Sequence, residues 1–352
     1  MQSGFYGFLN AAIKRGYFVA TNDGVMKGSL QLRGIFWDSF LYKFNRDALW
    51  IPNPIKLLKL INKHSIKDVH VVGEPTYMSL FVLTHLNLFF KLKINISCRT
   101  AQNVPFKLTY FPFKYNFKNL KKQNLLVFAV SPISFKFAEN FYKQKNIMLL
   151  PNGVPEEFYK IKNNLKKNNR RKILFIGTFL KRKGVDDFIK LSEIFKLKYD
   201  FIMIGADDAS YSYYKQFKSV RIYKRLKRSE LISFLDESII LVVPSKYSDG
   251  SDFSGLGKVF KVPWMEQFGR VIIEAYSRGC EVVAYNSGAI KYVIRDKKFL
   301  ANEGDIKQLN KLVLESIKNY NLETIRQIIN YSKSYKWETV FQKFLDQRSS
   351  FF

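Results

Sequence analysis

The chain has 352 residues, of which 47% are hydrophobic and 16% aromatic, which excludes a largely disordered protein. Because single cores stop growing at about 250–300 residues, we expect two domains. Lys and Arg number 58 against 29 Asp and Glu, a net charge of +29, so an anionic partner must be considered. The first dozen residues lack a secretory signal pattern, and the apolar run from Met78 to Phe90 is too short to span a bilayer.

The N-terminal half shows strands and helices in alternation. The opening segment F-Y-G-F-L-N-A-A-I-K-R-G predicts a helix, followed by a strand near residues 17–20. Later apolar runs predict strands that each stop at a polar residue. These runs are Asp68 to Gly73 before Glu74, Ile94 to Cys98 before Arg99, and Leu125 to Val130 before Ser131. The pattern indicates a parallel sheet with connecting helices.

The C-terminal half shows the same alternation more clearly. Four buried-type runs predict strands at residues 173–176, 201–204, 220–223 and 239–243, with helices between them. Such βαβ spacing predicts a doubly wound, Rossmann-like domain, so the fold class is α/β with two such domains.

Cysteine and histidine content argues against a structural metal site. Cys98 and Cys280 lie in separate apolar runs and are predicted to be reduced core residues, which indicates a reducing compartment. The three histidines are scattered. We therefore expect no bound metal and no cofactor.

Two carboxylates, Glu266 and Glu274, stand eight positions apart in the segment M-E-Q-F-G-R-V-I-I-E-A. A helix is predicted to begin near Gly269 and to end near Gly279, so Glu266 precedes the helix and Glu274 lies inside it. Phe268 and Gly269 offer backbone N–H groups at the positive end of the helix dipole. Carboxylates for sugar hydroxyls beside a phosphate-type site suit a nucleotide sugar.

These residues resemble the donor site of the family 4 retaining glycosyltransferases, which have the GT-B fold. Five further segments match in order: R-T-A-Q-N at 99–103, A-V-S at 129–131, L-L-P-N-G-V at 149–154, I-L-F-I-G-T-F-L-K-R-K-G at 173–184 and Y-N-S-G-A-I at 285–290. The resemblance implies two Rossmann-like domains facing each other across a cleft. Residues 1–155 would form an acceptor-side domain and 156–330 a nucleotide-sugar domain, with 331–352 as a helix crossing back to the first.

In that fold a central strand precedes the first helix, whereas this chain opens on the helix. Either the start is assigned too late or the protein departs from its family here.

The resemblance also implies roles for individual residues. Catalytic roles fall to Glu266, Lys183 and Arg99, although many relatives carry His at the position of Arg99. Many relatives also carry Arg at the position of Thr178, so Lys183 and Arg182 must supply the positive charge. The expected donor-binding residues are Gly177, Thr178, Arg182, Phe268, Gly269, Arg270, Glu274 and Asn152, and the acceptor-side candidates are Glu74, Gln102 and Asn103.

The resulting hypothesis is a metal-independent retaining glycosyltransferase. It would move a sugar from a UDP- or GDP-linked donor to a glycolipid or polysaccharide. The alternatives are a GT-B-fold nucleotide-sugar epimerase and a catalytically inactive binding homologue.

The charge excess has three competing interpretations, which are an anionic membrane, compositional drift and nucleic-acid binding. Residues 106–122 interleave aromatic residues with lysines, which is typical of attachment to an anionic membrane. That pattern predicts a cytoplasmic protein, peripheral on the inner face of the membrane. The alternative is compositional drift in a Lys-, Asn- and Ile-rich sequence. No nucleic-acid-binding motif accompanies the charge, so no nucleic-acid partner is expected.

Overall fold

The computed structural model describes residues 6–17, 19–21, 30–31, 51–75, 77–103, 125–160, 170–195, 199–251 and 263–352. The chain divides into two compact units. Unit 1 comprises Met1–Asn152 together with Trp337–Phe352, and unit 2 comprises Gly153–Lys336.

Unit 1 is built on a four-stranded parallel sheet with the order β3-β4-β5-β6. Its strands are β3 (Asp68–Val71), β4 (Asn95–Thr100), β5 (Leu125–Ala129) and β6 (Ile147–Leu149). Its helices are α1 (Tyr6–Lys14), α2 (Pro54–Lys63), α3 (Met78–Phe89), α4 (Pro132–Asn140) and α12 (Trp337–Phe351). A separate parallel pair joins β1 (Ala20–Thr21) to β2 (Leu30–Gln31).

Helices cover both faces of this sheet. Ile61, Leu83 and Phe137, from α2, α3 and α4, pack in one core with Ile96 and Val127. The other core joins α1 and α12 to β5. It contains Phe8, Leu126, Phe128, Trp337, Phe341 and Phe344. The continuous apolar runs of the strands are therefore explained by burial on two sides.

Two predictions for unit 1 need correction. The strand expected at 17–20 lies instead at Ala20–Thr21. The strand expected to end at Cys98 continues to Thr100, so Arg99 lies inside β4 rather than after it. Arg99 and Thr100 are both buried although they are polar, which is why the apolar run stopped short of the strand end.

Unit 2 is built on a six-stranded parallel sheet with the order β12-β11-β10-β7-β8-β9. Its strands are β7 (Lys172–Ile176), β8 (Asp200–Ala206), β9 (Arg221–Lys224), β10 (Ser238–Val243), β11 (Glu281–Tyr285) and β12 (Leu300–Ala301). Its helices are α5 (Val185–Ile194), α6 (Asp208–Tyr214), α7 (Arg228–Asp236), α8 (Arg270–Ser277), α9 (Ile290–Val293), α10 (Ile306–Lys318) and α11 (Leu322–Ser332).

The strand order reverses between β7 and β10, which makes unit 2 a doubly wound sheet. In such sheets a ligand crevice forms outside the carboxyl ends of the strands at this switch point. Cys280, just before β11, and Cys98, in β4, are both buried and not disulfide-bonded, as the sequence predicted.

Candidate active site at the switch point of unit 2

The loop after β7 is tied closely to the end of β10. A short 3-10 turn, Lys181–Lys183, is followed by Gly184, whose φ is +73°. A Cβ atom on Gly184 would lie 2.0 Å from the Pro244 carbonyl oxygen, so only glycine fits. The Lys246 amide also donates to the Arg182 carbonyl oxygen at 2.8 Å. These contacts fix the backbone that carries Lys183.

The loop before α8 is held equally firmly. The Ala289 amide donates to the Glu266 carbonyl oxygen at 2.8 Å. Gly288 has a φ of +53°, and a Cβ there would lie 2.4 Å from the same oxygen. Gly269, with a φ of +78°, precedes α8 and has no side chain to cap it. The first turn of α8 therefore presents N–H groups where an anion can accept them.

These two loops bring Lys183 and Glu266 together. The Lys183 ammonium lies 2.7 Å from Glu266 Oε2, and it also lies 4.3 Å from the centre of the Trp264 ring. The guanidinium of Arg182 lies over the same ring at 5.4 Å. The crevice between the ends of β7 and β10, lined by Lys183, Glu266 and Ser245, has a volume of about 20 Å³. That is room for about one water molecule, so a larger anion could enter only by displacing the Lys183–Glu266 contact.

Glu274 lies within α8 and is half-buried. Burial raises the pKa of its carboxyl above the usual value, and the nearby positive charges of Arg270 and Arg228 oppose that rise. Arg228 also binds Glu157, with both carboxylate oxygens 3.0 Å from its Nη1. A half-buried carboxylate beside two arginines can accept hydrogen bonds from a pair of sugar hydroxyls.

A larger cavity of about 550 Å³ lies beside the 3-10 turn. The charges that line this cavity balance, so the cavity does not select an anion. Its three cations are Lys181, Arg182 and Lys246, and its three carboxylates are Asp186, Asp249 and Glu303. At the small crevice, by contrast, the groups that could contact an anion are Lys183 and the N–H groups at the start of α8.

The other predicted donor-binding residues do not line the small crevice with their side chains. The Phe268 side chain is buried, 6.1 Å from the Tyr335 ring, so only its backbone can contact a ligand. The Arg270 and Thr178 side chains are exposed, and the Gly177 amide donates to the Ile204 carbonyl oxygen at 3.0 Å.

Arg99, predicted to be a catalytic residue, is buried inside β4 of unit 1. Arg99 is 2% exposed, and its Nη2 donates to the carbonyl oxygens of Leu150 and Pro151 at 3.0 and 2.8 Å. The same nitrogen donates to Asn152 Oδ1 at 3.0 Å, and burial lowers the pKa of Arg99 to about 9. Within unit 1, Arg99 and Asn152 therefore hold the backbone after β6. Asn152, predicted to contact the donor, accepts this hydrogen bond from Arg99.

The acceptor-side candidates gather at the carboxyl end of the unit 1 sheet. Glu74 follows β3, and its carboxylate accepts from Thr100 Oγ1 at 2.5 Å and from the Ala101 amide at 2.7 Å. Burial raises the pKa of Glu74 to about 7. Gln102 and Asn103 follow β4 and are half-buried. The structure thus places these three residues at one edge of the sheet.

Sequence reasoning missed two side chains at the unit 2 site. Trp264, two positions before Glu266, contacts Arg182 and Lys183, two of the three cations of the turn, through its ring. Asp187, buried in α5, accepts from Lys246 Nζ at 3.0 Å and from the Tyr285 hydroxyl at 2.9 Å. Asp187 could have been singled out, because a carboxylate on the apolar side of a helix must have partners. Nothing local marks Trp264.

Among the described residues, no three His, Cys, Asp or Glu side chains are grouped as metal ligands would be. Among the helices the structure describes, none has the length and apolar character needed to cross a bilayer.

Comparison with known proteins gives relatives of low sequence identity and similar fold. An uncharacterized 41.2 kDa protein in the cps region of Klebsiella pneumoniae is 27% identical over 188 residues, which is 50% of this chain. That match spans 47% of the relative, so the chain matches about half the length of this curated protein.

Among solved structures, a glycosyltransferase from Rickettsia africae superposes with a TM-score of 0.71 at 16% identity, covering 100% of this chain and 96% of that one. Anabaena HepE in complex with UDP-glucose superposes with a TM-score of 0.62 at 16% identity, covering 99% and 98%. Both likenesses concern the fold, which is the two-domain α/β GT-B architecture.

The sequence model described as glycosyl transferases group 1 matches residues 156–335, more than half of the chain and nearly all of unit 2. That range contains Lys183, Glu266 and Glu274. The chain therefore belongs to the glycosyl transferases group 1 family.

Proposed function

We propose that this protein is a retaining glycosyltransferase of family 4 that binds its nucleotide-sugar donor in unit 2. The observation that carries the proposal is the contact of Lys183 with Glu266 at the uncapped start of α8. A cation, a carboxylate and free helix N–H groups then surround one crevice. HepE, which shares the fold, was solved with UDP-glucose, so a UDP-linked donor is the first to test, followed by GDP-linked donors.

In this proposal the diphosphate replaces Glu266 as the partner of Lys183. The ammonium and the N–H groups of Gly269 and Arg270 stabilise the negative charge that grows on the leaving phosphate as the glycosidic bond breaks. Trp264 keeps the Lys183 ammonium in place through its ring, 4.3 Å away. Because these groups are already positioned, little reorganisation is needed in the transition state. We propose that the reaction needs no metal and no cofactor for this reason.

The two carboxylates then have separate tasks. Glu274, inside α8, accepts hydrogen bonds from the ribose hydroxyls. Glu266, released from Lys183, contacts the donor sugar near the reacting carbon. In the retaining reaction the acceptor hydroxyl attacks on the face from which the diphosphate departs, and the leaving phosphate takes its proton.

The acceptor is proposed to be a glycolipid or a polysaccharide at an anionic membrane, with the protein peripheral on its cytoplasmic face. The charge excess and the aromatic–lysine alternation at 106–122 support this proposal. That segment lies outside the described residues.

The test is donor binding followed by product analysis. Calorimetric titration with UDP, GDP and UDP-glucose should show binding of one nucleotide, and Lys183→Ala should weaken it. Incubation with the matching nucleotide sugar alone should release free nucleotide slowly and form no new nucleotide sugar. A new nucleotide sugar would favour an epimerase, and absence of all nucleotide binding would contradict the proposal.

A further inference from the structure

Three consecutive apolar side chains are exposed at the end of α3. Leu88, Phe89 and Phe90 expose 41%, 78% and 57% of their surface. Exposed single apolar residues are ordinary, but an adjacent pair of largely exposed phenylalanines at a helix end is not.

The turn that carries these residues is held rigidly. Asn87 clamps it, because its Oδ1 accepts from the Ile94 amide at 3.0 Å and its Nδ2 donates to the Ile94 carbonyl oxygen at 3.3 Å. Leu92 packs against the core. Lys91 and Lys93 point outward with φ of +48° and +54°, a conformation that non-glycine residues seldom adopt. The fold therefore keeps the two phenylalanines in solvent.

Neighbouring loops extend this surface along one edge of the sheet. Parallel strands begin at the same edge, where one contact joins the loop at 64–67 to the start of β4 and another joins the loop at 141–146 to β5. The Asn95 amide donates to the Lys67 carbonyl oxygen at 2.7 Å, and the Val127 amide donates to the Asn146 carbonyl oxygen at 2.9 Å. We call this surface the amino edge. Its exposed lysines are Lys63, Lys67, Lys91, Lys93, Lys143 and Lys145, and its exposed aromatics are Phe89, Phe90 and Phe141.

The three loops at 64–67, 90–94 and 141–146 contain no Asp or Glu. Asp68, at the start of β3, is the nearest carboxylate in sequence to the first loop, and it is paired with Arg348 at 3.0 Å. The amino edge is therefore strongly positive as well as apolar. A second copy of the same edge would be repelled by it.

We propose that the amino edge of unit 1 docks on an anionic lipid bilayer, with Phe89 and Phe90 inserted at the level of the headgroups. Lysines near a negative leaflet attract the protein, and aromatic rings settle in the interfacial region. This inference deepens the proposed membrane attachment and rests on it. The site is different from the segment at 106–122, and it needs nothing from the donor chemistry of unit 2.

The experiment is co-sedimentation of the full chain with phosphatidylcholine vesicles, with and without phosphatidylglycerol. Phe89→Ser/Phe90→Ser should lower the partition coefficient onto the anionic vesicles by about tenfold or more, and Lys91→Gln/Lys93→Gln should lower it severalfold. The control is Ile194→Ser/Tyr213→Ser in unit 2, whose side chains are 54% and 60% exposed and which should bind as the parent does.

Three results would overturn the assignment: unchanged binding of Phe89→Ser/Phe90→Ser, equal binding to both kinds of vesicle, or loss of binding only when the lysines of residues 106–122 are replaced. A dimer that the double Phe variant dissociates, with no lipid binding by the parent, would instead identify a self-association surface. UDP titration of the same preparations separates membrane binding from donor binding. The double Phe variant should bind UDP as the parent does, even where it has lost lipid binding.

Discussion

The most direct test of the candidate site is truncation of Lys183. In Lys183→Ala the ammonium 2.7 Å from Glu266 is lost, and the Glu266 carboxylate is left facing the position proposed for the diphosphate. Loss of one preorganised donor to a developing charge lowers turnover by about 10²–10³-fold. Ground-state affinity should fall less. The Lys183 and Glu266 side chains remain 23% and 14% exposed, so solvent screens the charge, and about a tenfold weaker binding of UDP is expected.

The assay is calorimetric titration with UDP, together with release of UDP from UDP-glucose. Lys181→Ala is the matched control, because Lys181 lies in the same 3-10 turn but is exposed and should change either quantity less than about twofold. Lys183→Ala/Glu266→Gln should recover part of the lost UDP affinity, since the repelling carboxylate is gone. Unchanged binding and turnover in Lys183→Ala, or an equal loss in Lys181→Ala, would refute the reasoning.

Further predictions concern the carboxylates and the metal. Glu274→Ala should chiefly weaken UDP binding, whereas Glu266→Gln should chiefly lower turnover, and identical kinetic signatures would contradict the division of roles. EDTA should leave activity within about twofold, well under the tenfold that 1.4 kcal/mol represents; strict dependence on Mg²⁺ would contradict this. The Glu74 pKa is raised from 4.5 to about 7, so its contribution to stability is complete below pH 4.5 and is lost as the pH rises through 7. Urea unfolding should therefore show Glu74→Gln gaining about 1–3 kcal/mol over the parent between pH 5 and 8, with exposed Glu139→Gln as an unchanged control.

Much of the fold follows from apolar runs alone. The four strands predicted in the C-terminal half correspond to β7, β8, β9 and β10 within a few residues, because a parallel sheet covered on both faces demands continuous hydrophobic segments. The order of the strands in each sheet could not be predicted from these runs. It depends on which face of the sheet each helix covers, and no local sequence pattern shows that.

Strand ends were harder to predict where buried residues are polar. Ser97 and Thr100 are fully buried in β4, and each has a distant partner: His70 Nδ1 lies 2.9 Å from Ser97 Oγ, and Thr100 donates to Glu74. A sequence shows polar residues but does not show their partners 26 or 27 positions away. The apolar run therefore ended before the strand did.

Arg99 and Lys183 show the limit of predicting a residue's role from its type alone. Both are cations near the end of a parallel strand, and both were predicted to be catalytic residues. Lys183 stands in a turn that ends at Gly184, is 23% exposed, and contacts the Glu266 carboxylate, which we propose a diphosphate displaces. Arg99 is inside its strand, and its guanidinium is held by the carbonyl oxygens of residues 150 and 151. Residue type alone therefore did not distinguish a cation in the loop after β7 from a cation inside β4, because the end of β4 lies among buried polar residues.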